Sequence, residues 1–187
     1  MNNMNRQRGF NLVEVMVSVL IMTVGGLAGT QITAKRVGHE AVQRTTASNL
    51  ALEILERIRA NPQALSGYAT TALGGGSITA TPTPDCSSTT CTPTELAAYD
   101  LWEWEQALDG ATALRDVDGD DVAVGGLITP TACVSVVAAS VTVAVAWKGY
   151  QVLSNPTSDN CGSGAGKYGT DDNQRQVLVI NSFVTDV

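Results

Sequence analysis

The sequence predicts an α+β protein, with one long N-terminal helix laid by its second half on a small antiparallel sheet. Three observations carry that expectation. A helical pattern free of proline runs from Phe10 to about Ala60. A period of two replaces it in "SVTVAVAWK" and again in "QVLVINSFV" (Gln176 to Val184). Turn-rich segments, not helical crossovers, separate those strands, which favours antiparallel pairing.

The first half of the helix reads "FNLVEVMVSVLIMTVGGLAGTQITA". From Phe10 to Ala34 it holds 25 residues, with Glu14 as the only charge among them. At about 1.5 Å per residue this is roughly 37 Å of helix, enough to cross a bilayer with some tilt. A carboxylate at the centre of such a helix costs on the order of 2.5–3.5 kcal/mol, and less near its end. That cost calls for a partner. Gly25, Gly26 and Gly29 are the weak points where the helix can bend. Arg6 and Arg8 precede the run, so the N-terminus is expected in the cytoplasm and the rest exported. An ordinary secretory signal cut near Gly26 to Gly29 is the plain alternative. Glu14 inside the apolar core and a helical pattern that continues past the supposed cut weigh against it.

From Lys35 to Asn61 the helix becomes amphipathic. Ala47, Ala51, Ile54, Leu55 and Ile58 fall at steps of three and four and form one apolar face. Glu53 and Arg57 make an i,i+4 pair worth a few tenths of a kcal/mol. Asn61-Pro62 ends the pattern, because a residue before proline avoids the helical region.

Next comes the Gly/Ser/Thr/Pro-rich stretch "SGYATTALGGGSITATPTPDCSSTTCTP", a loop with one short strand expected around Ile78. Thr92-Pro93-Thr94-Glu95 then opens a second helix, with Thr92 as cap, Pro93 in the first turn and Glu95 completing a capping box. Ala97, Leu101, Trp104 and Leu108 are its apolar stripe, read as core. In the strand that follows, Val141, Val143, Val145 and Trp147 face one way.

Between these elements lies "DVDGDD". Asp116, Asp118 and Asp120 at alternating positions offer three oxygen ligands for calcium, as at the start of an EF-hand loop. The match then breaks, with Asp121 where glycine belongs and Leu127 where a bidentate glutamate belongs. An acidic hairpin turn is the alternative. No other cofactor is expected.

The totals narrow the function classes. A formal charge of −7 disfavours nucleic acid as a partner, and the basic residues gather in the first third of the chain. The lone histidine, His39, precedes the head, so no Ser-His-Asp arrangement can be assembled there and an enzyme is not expected. Cys86, Cys91, Cys133 and Cys161 all lie in the head. An even count beyond an export segment points to two disulfides in an oxidising compartment. Of the three possible connectivities, Cys86–Cys91 and Cys133–Cys161 are expected, the first closing a short polar loop and the second a 29-residue one.

On these residues the sequence resembles the type IV pilin superfamily. Arg8-Gly9-Phe10, with Glu14 four residues after Phe10 and a continuous apolar helix, looks like the class III signal read by a prepilin peptidase. Further along, "LERIRANP", "DCSSTTCTPTELAAYDLWEW", Cys133 and "VAVAWKG" resemble the minor-pilin family PilV. The resemblance implies a pilin-like fold in four parts. Residues 1–9 are a leader cleaved after Gly9, and residues 10–34 a transmembrane and filament-core helix. Residues 35–61 are the amphipathic stem, and residues 62–187 a periplasmic or extracellular head.

It further implies methylation of the new amino group of Phe10. Glu14 would meet the amino terminus of a neighbouring subunit inside the filament. The implied function is that of a minor pilin that helps to prime a type IV pilus or modifies its tip. The chain would sit in the inner membrane before assembly and on the cell surface afterwards. Implied partners are the prepilin peptidase, the inner-membrane assembly platform, other minor pilins, the major pilin and a tip adhesin. Two alternatives are a type II secretion pseudopilin, which shares the membrane motif, and a membrane-tethered calcium or ligand-binding module. The paired cysteines and the Trp-containing helix favour the PilV-like reading over the pseudopilin.

Overall fold

The structure is a computed structural model that describes residues 11–111 and 113–185, residues 24–29 by backbone alone. Helix α1 spans Leu12–Ala60, 49 residues, and runs through Gly25, Gly26 and Gly29 without a break. It stops where Pro62 forces Asn61 out of the helical region, to φ −131° and ψ 57°. Among the described residues no helix is long and apolar enough to cross a membrane. The span expected at residues 10–34 takes in Phe10 and the side chains of 24–29, which lie outside the description.

The chain divides into two units, Met1–His39 and Glu40–Val187, with the boundary inside α1. The second unit holds the core. After a 3-10 segment at Pro62–Tyr68 come β1 (Thr70–Leu73), α2 (Pro93–Asp109), β2 (Leu114–Val117), β3 (Asp120–Ala123), β4 (Thr131–Val137), β5 (Ser140–Lys148) and β6 (Arg175–Phe183). The strand expected around Ile78 falls earlier, at β1. Gly74, Gly75 and Gly76 take positive φ and turn the chain there, so Ile78 gives its N–H to Glu105 instead of to a ladder.

Helix α2 begins as its sequence dictates. Thr92 N–H donates to Glu95 Oε2 at 2.7 Å and Glu95 N–H to Thr92 Oγ1 at 3.4 Å, a reciprocal box. It ends at Gly110 in the left-handed region, φ 71°, where a Cβ would sit 1.9 Å from the Gly125 carbonyl oxygen. Only glycine serves both conditions.

The main sheet is antiparallel, in the order β1-β4-β5-β6. A two-residue turn joins β4 to β5, and β5 pairs with β6 along its whole length. Alternation gives each strand two faces. Val141, Val143, Val145 and Trp147 meet Ala47, Ala51, Ile54, Leu55 and Ile58 of α1 and Ala97, Leu101, Trp104 and Leu108 of α2 in a single core. The loop between β5 and β6 covers part of the opposite face, over Ala144 and Ala146, while Ser135, Val137 and Asn181 on that face stay exposed. Arg175, 1% exposed, fixes that loop by donating to the carbonyl oxygens of Cys161, Asp159 and Pro156 and to Asn155 Oδ1. A guanidinium can be buried here because each bond it makes satisfies a loop carbonyl or amide.

Candidate functional site

Glu14 stands in the first turn of α1, its side chain exposed. Its N–H donates to the Asn11 carbonyl at 2.9 Å, and its own carbonyl accepts the Ser18 hydroxyl at 2.7 Å. A carboxylate in a first turn is favoured by the N–H groups left open there, by about 0.3–1 kcal/mol. Around it the helix is apolar on every side. Leu12, Val13, Val15, Met16, Val17, Val19, Leu20, Ile21 and Met22 are all exposed, Met22 by 79% and Leu12 by 74%.

Burying side chains of this kind is worth roughly 1.5–3 kcal/mol each. Nine of them in water is a standing penalty, so this segment functions only when covered by lipid or by other helices. Glu14 is the one charge among these apolar side chains. Gly9 and Phe10, the residues expected at a processing site, lie outside the described residues.

In the second unit, Cys86 is bonded to Cys91 and Cys133 to Cys161, and no cysteine is free. The first bridge closes the loop that delivers Thr92 to its cap. The second ties β4 to the loop held by Arg175.

The model of the family described as "Type IV pilin Tt1218" matches residues 29–102. The model described as "Prokaryotic N-terminal methylation motif" matches residues 4–30. The chain is a type IV pilin. No curated protein and no solved structure matches it. The methylation motif covers Glu14 and all nine of these exposed apolar residues, and the pilin match begins where that motif ends. For a pilin, the uncovered apolar helix is the expected state of a subunit outside membrane and filament.

The pilin's acidic stretch folds differently from an ion loop. β2 and β3 form a hairpin turned by Asp118 (φ 56°) and Gly119 (φ 92°), with Asp116 opposite Asp121 and Val117 opposite Asp120. Such positive φ at both turn positions is the geometry of a tight two-residue hairpin. Strand alternation sends Asp116 and Asp120 to opposite faces, so the three expected ligands do not converge. Asp116 Oδ1 instead accepts the Gly119 N–H at 3.1 Å. Among the described residues no group of three or more acidic, histidine or cysteine side chains is placed to hold a metal ion.

Sequence reading missed how far Arg57 reaches. Its i,i+4 bond to Glu53 is present at 2.9 Å, but the same guanidinium also bonds Asp100 at 3.0 Å and Glu103 at 2.6 Å on α2. Burial works against its charge, and the bonds to Glu103, Asp100 and Glu53 outweigh that, so its pKa rises above the ordinary guanidinium value. Asp100 also accepts the Tyr68 hydroxyl, and Asn61 Nδ2 donates to Tyr68 and to the Pro93 carbonyl. This network joins the end of α1 to the start of α2 in the pilin head. Its bonds to α2 join residues more than thirty positions apart, beyond the reach of any local spacing rule.

Proposed function

We propose that this pilin is a minor pilin of the PilV type, which helps to start a type IV pilus or modifies its tip. The observation that carries the reading is the exposed apolar start of α1 with Glu14 as its only charge, lying within the methylation motif. The prepilin is inserted in the inner membrane with its N-terminus cytoplasmic, cut between Gly9 and Phe10, and methylated on Phe10. The cut leaves the apolar segment attached and creates a cationic amino group four residues from a carboxylate. In the filament, Glu14 meets the Phe10 amino group of a neighbour, since a buried charge is tolerated when it is paired. Prepilin peptidase, the assembly platform and neighbouring pilins are its partners.

Intact and N-terminal mass analysis of the membrane and sheared-pilus fractions tests this. The reading expects a chain beginning at methyl-Phe10, present in sheared pili and carrying two disulfides. A chain that begins beyond Gly29 overturns it. A chain processed at Phe10 but absent from pili under conditions of secretion assigns it to a secretion pseudopilus instead.

A further inference from the structure

The two edges of the main sheet are unlike. β1 is four residues long, and its register against β4 is irregular. A short, irregular strand is a blunted edge. β6 is nine residues long, pairs in unbroken register with β5 and, among the described residues, has no neighbouring strand on its other side.

Which groups face outward follows from two bonds. Gly149 N–H donates to the Gln174 carbonyl at 2.8 Å and Val184 N–H to the Ala139 carbonyl at 2.9 Å, both continuing the β5–β6 register. Antiparallel pairs alternate, so the even-numbered residues of β6 exchange bonds with β5. Val177, Val179, Asn181 and Phe183 therefore turn their N–H and C=O groups away from the sheet. Among the described residues no main-chain bond outside the β5 ladder engages residues 175–183.

Within the strand itself the devices that protect such an edge are missing, although Arg59 Nη2 of α1 donates to Ser182 Oγ at 2.8 Å. From Gln176 to Val184 there is no charge, proline or glycine, and no bulge interrupts the strand. Leu178 and Ile180, on the side that faces the core, are only partly buried, and Phe183 is 78% exposed.

We infer that β6 is a docking edge for β6 of a second copy of this chain, paired antiparallel about Val179. That register sets Val179 opposite Val179, Leu178 opposite Ile180 and Val177 opposite Asn181. Apolar residues meet on the core-facing side, no like charges oppose one another, and about six main-chain hydrogen bonds form between the outward-facing residues. Subunits of one polar filament all point the same way. A two-fold contact of this kind therefore joins chains of different filaments or chains awaiting assembly. The inference stands on the sheet alone and does not rest on the pilus reading.

Position-specific trapping in the full-length chain, purified in detergent and mildly oxidised, tests it. Residues opposed in a hydrogen-bonded pair have Cα atoms about 5.5 Å apart, within disulfide range. Val179→Cys is expected to give a disulfide-linked dimer, and Thr71→Cys on the β1 edge is not. Adding Val177→Pro to Val179→Cys removes an outward N–H that makes no bond within the sheet. It is expected to cut the dimer yield at least tenfold while leaving the unfolding midpoint close to that of Val179→Cys alone. Equal trapping at both edges, no dimer from Val179→Cys, or capture of a different polypeptide overturns the inference.

Discussion

Trp104 Nε1–H donates to the Leu50 main-chain carbonyl at 2.9 Å, inside the core where α2 meets α1. Trp104 is fully buried, so this bond is made without competition from water. Trp104→Phe keeps most of the apolar volume and removes the bond, at an expected cost of about 1–2 kcal/mol. Trp104→Ala also opens a cavity, and about 3–5 kcal/mol is expected. Urea unfolding of the full chain measures both.

Glu105 is expected to behave differently from an ordinary surface glutamate. It is fully buried and accepts the N–H groups of Gly74, Ser77 and Ile78 and the Ser77 hydroxyl, shaping the glycine-rich loop around itself. Asp109 takes the next two, Gly75 N–H and Gly76 N–H, each at 2.8 Å. Glu105→Gln replaces one acceptor oxygen with a donor aimed at other donors. A loss of about 2–3 kcal/mol is expected. Amide exchange should quicken at Gly74, Ser77 and Ile78, and by less at Gly75 and Gly76.

The bridges are expected to differ in weight. On the chain-entropy account, Cys133–Cys161, separated by 28 residues, stabilises by about 3–4 kcal/mol, and Cys86–Cys91, separated by 5, by about 2 kcal/mol. Cys133→Ser with Cys161→Ser should therefore lower the Tm by more than Cys86→Ser with Cys91→Ser. Equal losses would show that Arg175, together with Tyr168, whose hydroxyl donates to Thr131 Oγ1 at 2.7 Å, already holds the β5–β6 loop, so that its disulfide adds no more than the short one.

Stability is expected to fall at both ends of the pH scale, for separate reasons. The Thr92 N–H and hydroxyl hold the Glu95 carboxyl below its usual value. A depressed carboxyl stabilises above the ordinary pKa of about 4.3 and loses that contribution as pH falls through the folded value. Burial, then the bond to Asp100, pushes the Tyr68 hydroxyl above its ordinary range. Tyr168 is raised as well, by burial. A raised phenol contributes fully below about pH 10, and the contribution is lost as pH climbs through the folded value. In Tm measured against pH, Glu95→Gln should flatten the acid limb and Tyr68→Phe the alkaline limb.

Much of this architecture was legible because it is local. The capping box at Thr92–Glu95, the stop at Asn61-Pro62, the stripe through Trp104 and the alternation from Val141 to Trp147 are each fixed by residues within a few positions of one another. The strand placed near Ile78 went astray because a buried carboxylate 27 residues away, Glu105, claims that N–H. The aspartates of "DVDGDD" looked like a ligand set because spacing alone does not reveal a turn at Asp118-Gly119. Arg175 gave no signal, since three of its four partners are main-chain oxygens that every residue carries. Glu14 draws attention for the opposite reason: a lone charge in an apolar helix stands out before any fold is known.

Glu14 also provides the most direct test. In the proposed account the peptidase acts at Gly9 and the partner of Glu14 is the amino group of Phe10 on another subunit, so targeting and assembly separate at this residue. Glu14→Gln keeps shape and hydrogen bonding and removes the charge. Stranding one member of a buried ion pair costs about 3–5 kcal/mol, a factor of a hundred or more in equilibrium. The decisive measurement is the amount of processed Glu14→Gln chain in sheared pili relative to the inner membrane, set against the unaltered protein. The account predicts a chain that is cut normally after Gly9, accumulates in the membrane and falls about a hundredfold in pili. Incorporation at the level of the unaltered protein would contradict it, and charge pairing would not be what Glu14 is for.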